Sequence, residues 1–440
     1  MNNTLNRTTL VNGTFRIVDF KLIKEKVLNW AQRFDTFCFL DNHQYQIKPH
    51  TMECLLAAGV KSKIKANAGN ALDQLQQFLN IKKLNSLHTG WLFGHLSYDL
   101  KKEIGKHSSV KKGDIKFPDV FFFEPEILIQ LNENEMMIEA DNPEEVFDEI
   151  NKSTATLLSL SVKQILKGRI TKDEYISVVN KLKQHILRGD CYEINFCQEF
   201  FAEHTVIDPA AVYKRLSDLS PNPFSALYRV KDQWLICASP ERFLKKRGEE
   251  ILSQPIKGTA KRVSQNERAD QLSKDNLWRS AKDRSENVMI VDLVRNDLAK
   301  ICGEGTVRVE ELCGIYSFPQ VHQMISTVSG ELKRNIPFAD IVKATFPMGS
   351  MTGAPKKRVM ELIDKYEITK RGIFSGALGY ISPNGDFDFN VIIRSIMYNA
   401  SSGYLSYQAG SAITFYSDPE NEWEECLLKA EAIRKVLSYQ

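Results

Sequence analysis

The sequence carries no excess of charge of either sign: across 440 residues, 58 basic side chains stand against 55 acidic ones, for a net +3. A balance that close excludes the basic surface of a nucleic-acid binder and the polybasic patch of a membrane-surface protein, and it leaves small charged substrates open. No apolar run approaches the roughly 18 residues of a membrane span. Met1 to Gly13, rich in Asn and Thr, lacks the charged, apolar and small-residue order of a signal peptide. No CxxC pair occurs among the eight cysteines (Cys38, Cys54, Cys191, Cys197, Cys237, Cys302, Cys313 and Cys426). Several lie in apolar stretches such as Trp234 to Ala238, which predicts reduced, buried thiols in a cytoplasmic protein. The histidines are isolated, with no HxxH or HExxH for zinc, and no Ser, His and Asp or Cys, His and Glu arrangement suggests a hydrolase triad.

What is present is ordinary globular material, 43% hydrophobic and 26% charged, enough to bury a large core. Length permits two or three domains or one large one. Residues 1–165 alternate short apolar runs (Phe37 to Leu40, Val120 to Phe123, Ile127 to Leu131) with polar turns, which predicts a β-rich region with a few helices. Its linker-like stretch is the basic segment Lys101 to Lys116. From Thr171 the periodicity becomes helical over Asp173 to Arg188, and strands follow at Tyr192 to Phe201, Ser225 to Arg229 and Trp234 to Ala238. Recurring apolar residues predict a long helix over Asp275 to Ile301 and shorter ones at Ile336 to Thr345 and Lys356 to Lys365. Further strands fit Gly376 to Ile381, Val391 to Tyr398 and Tyr404 to Ala409. A last helix fits Pro419 to Leu437, with Asp418 as its N-cap. Strands mixed with long helices, without strict βαβ alternation, indicate an α+β protein.

Several segments have chemical potential. Glu422 and Glu425 lie three apart on the last helix, with Lys429 on the same face, and Glu286 lies on the other long helix. Either these are solvated helix faces, or the three carboxylates converge into an oxygen-rich site suited to Mg²⁺. The loop GSMTGAPK, Gly349 to Lys356, lacks the GxxxxGK spacing of a nucleotide-binding loop; its backbone N–H groups and Thr352 could hold an anion, or it is loop punctuation. Lys257, between Ile256 and Gly258, is either a solvated loop lysine or an amine in a partly dry site that can lose its proton and act as a nucleophile. Glu241 ends an apolar strand, as a surface carboxylate or as a general acid with a raised pKa. Arg394 lies in an apolar strand, where a guanidinium must meet an anion, either a structural carboxylate or a substrate.

Together these segments resemble the chorismate-binding enzymes: anthranilate synthase component I, aminodeoxychorismate synthase component I, isochorismate synthase and salicylate synthase. The resemblance covers about Thr171 to Leu437 and rests on GDCYEINFCQ, SPERF, PIKGTAKR, AKDRSENVMIVDLVRNDL, FPMGSMTGAPK, GALGYISPNGDFDFNVIIRS and SDPENEWEECLLKA in order. Earlier, Gly90 to Asp99 is similar to the glycine-rich YDL segment of the amino-transferring members. The resemblance implies stacked antiparallel sheets in one compact α+β unit, with an N-terminal β-rich region (1–165) and a catalytic region (166–440). It implies that Glu286, Glu422 and Glu425 hold one Mg²⁺, directly or through water, and that the ion holds the ring carboxylate of chorismate. Gly258, Thr259, Thr352, Arg394, Gly410 and Lys429 match substrate-pocket positions, and Glu241 matches the general acid. Lys257 marks the aminodeoxychorismate branch, in which the lysine amine attacks C2, expels the C4 hydroxyl, and is itself expelled when ammonia adds at C4. The alternatives are anthranilate synthase component I and a catalytically inactive chorismate-binding subunit. No segment resembles a glutaminase with a nucleophilic Cys, so ammonia is expected from a separate glutamine amidotransferase subunit.

The chain departs from the family pattern at four places. Gln323 stands at the usual His, with His322 one place earlier and so on the opposite strand face. Phe374 replaces a Tyr, Ala412 a Gly, and Glu193 the commoner Gln. Isochorismate and salicylate synthases carry a water-activating lysine at the Glu193 position, so water is disfavoured as the nucleophile. Phe37 to Asn42 matches the family's tryptophan-site motif only loosely.

Overall fold

Period-two alternation sets the architecture. In the strand Thr36–Asp41, Phe37 and Phe39 join one apolar cluster and Cys38 another, because successive strand side chains point to opposite faces. The same division recurs in the adjacent strands Phe224–Val230 and Gln233–Ser239, where Ala226, Tyr228 and Leu235 face one way and Leu227, Trp234 and Ile236 the other. A sheet apolar on both faces must be covered on both. This one is a 12-stranded antiparallel sheet; a second antiparallel sheet of 10 strands covers one face, and helices Phe20–Ala31, Pro143–Lys152, Pro209–Leu219 and Glu431–Ser438 cover the other. The protein is α+β, as a computed structural model that describes residues 11–45, 53–85, 90–105, 111, 113–154, 166–263 and 265–438.

Between the sheets, His95 is fully buried with Nδ1 2.9 Å from the Tyr228 hydroxyl and Nε2 2.9 Å from the Pro118 carbonyl. A carbonyl only accepts, so Nε2 carries the proton, and burial pushes the imidazole pKa down to about 4. Early and late segments share both sheets: Phe224–Val230 pairs with Thr36–Asp41, and Ala377–Ile381 pairs with Leu92–Leu96. Among the described residues no helix is long and apolar enough to cross a membrane, and all eight cysteines are free and buried.

Three expected elements are interrupted. The long helix divides into Glu267–Arg279 and Ala281–Ala299 at Ser280, whose backbone is extended and whose side chain accepts from Asp283 N–H. Serine competes well for a helix N-terminus, and an apolar period running through it conceals the break. The last helix divides into Pro419–Lys429 and Glu431–Ser438 at Ala430; Asp418 caps it through Asn421 N–H at 3.0 Å. The expected strand over 391–398 is two strands, Phe387–Val391 in the second sheet and Ser395–Asn399 in the first, with Arg394 at φ 50° where the chain crosses between them. The basic segment 101–116 lies partly outside the described residues (106–110 and 112); its first residue, Lys101, is buried against Asp364 at 2.6 Å, so it begins in packed structure.

A second crossing lies beside that one. The chain leaves the first sheet at Ser239 and enters the second at Arg242, so Pro240 and Glu241 form a corner. The two corners are laced together: Val391 N–H donates to the Glu241 carbonyl at 3.0 Å, Ser239 Oγ to the Val391 carbonyl at 2.6 Å, and Ala238 N–H to the Arg394 carbonyl at 3.2 Å. Corners break the alternation of buried faces, so they can present a charged side chain to a cavity without unpairing a strand interior.

Candidate active site

A cleft of about 1010 Å³ opens where the corners meet the ends of both sheets. Strands contribute Lys257, Gln323 and Gly410; the corners contribute Glu241 and Arg394; the helix Ala281–Ala299 contributes Glu286. In the strand Ile256–Lys261 the pairing register slips between Ile256 and Thr259, and Gly258 takes φ +91° at the slip. A Cβ at Gly258 would lie 3.0 Å from Asp283 Cβ, so only glycine suits both the left-handed backbone and the approach of the helix.

Lys257 is 8% exposed, and its Nζ donates to Glu193 Oε1 at 2.7 Å. Burial disfavours its charge, but the Glu193 carboxylate and, at longer range, Glu286 and Glu241 outweigh that cost and hold its pKa above the ordinary lysine value. Lys257 is thus a buried, ion-paired side chain and not the solvated loop lysine that was one of the two expectations, and the carboxylate opposite it favours its charged form. Glu241 is also buried, and burial pushes its carboxyl up to about 7 although the Ser350 hydroxyl donates to Oε1 at 2.6 Å and Lys257 attracts it. A carboxyl that holds its proton near neutrality can serve as a general acid.

Among the described residues no three His, Cys, Asp or Glu side chains converge as a ready metal cage, so the expected gathering of Glu286, Glu422 and Glu425 is not formed as such. Each carboxylate has a lysine instead. Lys282 Nζ lies 3.2 Å from Glu422 Oε1 and 3.9 Å from Glu286 Oε1, and Lys429 Nζ lies 2.7 Å from Glu425 Oε1. Clustered anions in a low-dielectric cleft repel, and the nearest cations answer. Two oxygens lack a hydrogen bond among the described residues: Glu286 Oε1, which has Lys282 only at the longer ion-pair distance, and Glu422 Oε2, both buried. Burial first, then the neighbouring carboxylates, raises Glu286 to about 7, whereas Lys429 lowers Glu425. Unpartnered carboxylate oxygens around a lysine fit a site for a small hard cation.

Thr259, Gly410 and Lys429 also line the cleft, and Lys429 Nζ donates to the Gly410 carbonyl at 3.2 Å. Arg394 faces it too, and no carboxylate pairs with its guanidinium among the described residues; burial alone lowers its pKa. Thr352 differs: its side chain is turned inward, the hydroxyl donating to the Met348 carbonyl at 3.0 Å, and Ser350 and Met351 line the cleft in its place. Glu422 stands behind the lining and meets it through Lys282. His322 turns away, to Asp270 and Ser317, while Gln323 faces the cleft with Oε1 buried and without a hydrogen-bond partner among the described residues.

Sequence reasoning passed over four contributors. Glu193 stands out in the sequence as a departure from the family pattern and as a position that disfavours water as nucleophile, not as the partner of Lys257. Lys282 had a legible signal, four residues before Glu286 on one helix face. Ser350 had none. Arg371, fully buried, ties the site together by donating to the carbonyls of Met351 at 2.6 Å and Asn195 at 2.9 Å and pairing with Glu367 at 2.6 Å.

A family profile described as chorismate binding enzyme matches residues 36–435. An anthranilate synthase component I-like protein of Synechocystis is 34% identical over 81% of this chain and 74% of its own. Aminodeoxychorismate synthase component 1 of Bacillus subtilis is 32% identical over 79% of this chain and 77% of its own. The crystal structure of anthranilate synthase component I from Streptococcus pneumoniae superposes with a TM-score of 0.76 at 25% identity, covering 89% of this chain and 94% of that one.

Proposed function

The chain belongs to the chorismate-binding enzymes, and from that premise we propose that it aminates chorismate at C4 with ammonia, giving 4-amino-4-deoxychorismate on the route to para-aminobenzoate and folate. The observation that carries this reading is Lys257, a buried amine in the cleft between the carboxylates of Glu193 and Glu241. Relatives named aminodeoxychorismate synthase component 1 support it.

Chorismate is a dianion with a leaving hydroxyl at C4. Arg394, which has no carboxylate partner among the described residues, receives one carboxylate, and Lys429 lines the same cleft. Lys257, once deprotonated, attacks C2; the ring double bonds shift, the C4–O bond breaks, and Glu241 gives its proton to the departing hydroxyl, which leaves as water. Ammonia then attacks C4, the double bonds shift back, and the C2–N bond breaks with its electrons returning to Lys257. The ammonium formed at C4 gives one proton back to Glu241, so chorismate and ammonia yield product and water. Dividing one difficult displacement into two lowers each barrier. Glu286 and Glu422, through their unpartnered oxygens, would hold Mg²⁺, with Glu425 joining directly or through water. When bound, the ion neutralises the ring carboxylate and withdraws electron density from the ring.

Ammonia comes from a separate glutamine amidotransferase subunit, in keeping with the component names of the relatives. Buried free thiols accord with a cytoplasmic setting. The test is product identification by mass spectrometry after incubation with chorismate, Mg²⁺ and ammonia. 4-Amino-4-deoxychorismate is expected. Fluorescent anthranilate formed without an added lyase, or chorismate binding without turnover at high ammonia, would overturn the reading.

A further inference from the structure

We propose that Glu193 is the proton acceptor that converts the Lys257 ammonium into the attacking amine, an inference that rests on the function read above. Glu193 begins the strand Glu193–Ala202, is fully buried, and is fixed by antiparallel pairing with Ala354. One carboxylate oxygen accepts from Lys257 at 2.7 Å, and the other, Oε2, is buried without a hydrogen-bond partner among the described residues. An acceptor needs that geometry: contact with the proton to be moved and no competing donor.

No other carboxylate among the described residues is in hydrogen-bond contact with Lys257. Glu286, on the helix Ala281–Ala299, lies 3.9 Å from Lys282, and Glu241, at its corner, accepts from Ser350 and serves as the acid. Glu425 and Lys429, on the last helix pair, hold each other, and Lys282 and Arg394 are cations that cannot accept. No proton can pass from so buried an ammonium to bulk water without an intermediary, and Glu193 is the carboxylate in hydrogen-bond contact with it.

The proton inventory closes. Lys257 passes one proton to Glu193 and uses the freed electron pair to form the C2–N bond. When ammonia displaces the lysine at the end of the cycle, neutral Nζ recovers that proton from Glu193, restoring the starting ion pair. Glu241 separately loses and regains the proton that left with water. A proton conserved within the Glu193–Lys257 pair makes nucleophile activation independent of bulk pH.

The test compares wild type, Glu193→Gln, Glu193→Asp and Lys257→Ala between pH 6 and 9, measuring kcat for amination with ammonia. In parallel, trinitrobenzenesulfonate labelling of Lys257 is followed by peptide mass spectrometry. Glu193→Gln keeps the hydrogen-bond acceptor but cannot take the proton. We expect its kcat to fall about 100-fold at pH 6.5, within the range of general-base catalysis, and the deficit to shrink as pH rises, because the lysine proton must then leave by a slower relay through entering water whose rate grows with hydroxide concentration. Labelling of Lys257 should begin at lower pH than in wild type, since the carboxylate that retains its proton is gone. A wild-type kcat, or a loss constant across pH, overturns the proposal. Should Glu193→Gln fail to fold by circular dichroism, Glu193→Asp answers the question: its shortened carboxylate should slow turnover most at low pH and label Lys257 earlier, and an unchanged profile overturns the inference. Lys257→Ala separates the two readings, because wild-type turnover there removes the covalent lysine itself, whereas a dead Lys257→Ala beside an intact Glu193→Gln removes only the role of Glu193.

Discussion

Lys257 and Glu193 are 64 residues apart in the chain and 2.7 Å apart at their side-chain tips. Their contact joins the second sheet to the first across the cleft, and it makes the candidate nucleophile an ammonium at rest. Removing Lys257 should therefore affect chemistry far more than binding. Lys257→Ala should reduce amination on the order of 10³-fold or more, equivalent to about 4 kcal/mol of barrier, while calorimetric affinity for chorismate with Mg²⁺ changes only severalfold. Loss of affinity in parallel with rate would make the lysine a binding group.

On the proposed reading, Glu241 should set the alkaline limb of activity. Its carboxyl is raised to about 7 by burial, and an acid must carry its proton, so kcat should be full below that pH and fall as pH rises through about 7. The Ser350 hydroxyl stabilises the charged form. Ser350→Ala should accordingly move the limb to higher pH, and Glu241→Gln should abolish it with a loss of roughly 10² to 10⁴-fold. A limb unmoved in Ser350→Ala would assign it to another group.

Lys282 occupies the place between Glu286 and Glu422 that a cation would take. Removing it leaves the carboxylates uncompensated until a metal binds. Part-exposed pairs are worth about 0.2–1 kcal/mol, so Lys282→Ala should tighten Mg²⁺ binding by no more than about fivefold in a calorimetric titration without substrate. Weaker binding would mean that Lys282 organises the carboxylates and does not compete with the ion.

Arg394 has no carboxylate partner among the described residues, so its removal should not cost stability. Arg394→Gln should weaken chorismate affinity by about 10 to 100-fold, the value of a charge-assisted contact of roughly 1.5–3 kcal/mol, with an unchanged or raised melting temperature. A fall in melting temperature would reveal a structural anion.

Gly410 faces the cleft and backs onto the neighbouring strand. A Cβ there would lie 2.2 Å from the Phe196 carbonyl oxygen and 2.6 Å from Cys197 Sγ. Gly410→Ala must force apart paired strands and should cost about 1–3 kcal/mol, as overpacking does, measured by urea denaturation. A neutral result would show that the strands can part locally.

Much was legible from short-range pattern. Periodicity places many of the strands and helices over 171–440, and strand parity gives the side on which Gln323 faces, but the helix Pro209–Leu219 and the strands Arg242–Arg247, Glu250–Gln254, Ile256–Lys261, Arg308–Ser317 and Val321–Glu331 carry no period strong enough to announce them. Interruptions at Ser280, Ala430 and Arg394 escaped because apolar period continues through each of them, whereas the break depends on which surfaces the flanking segments cover. The early helices Phe20–Ala31 and Pro143–Lys152 are among the few expected in the β-rich region, but the sequence does not locate them, since a short amphipathic helix between strands has too few turns to stand out.

By itself the sequence determined the α+β class, the family, and the residue types available to the site, because motif order and local period are properties of the chain alone. Only the tertiary structure decided charge and direction: that Lys257 meets Glu193, that Lys282 stands among the carboxylates, that Thr352 turns inward, and that Arg394 has no carboxylate partner among the described residues. The reason is electrostatic and steric. The charge on a buried group depends on which distant groups share its low-dielectric space, and those neighbours come from strands and helices that meet only when both sheets have closed around the cleft.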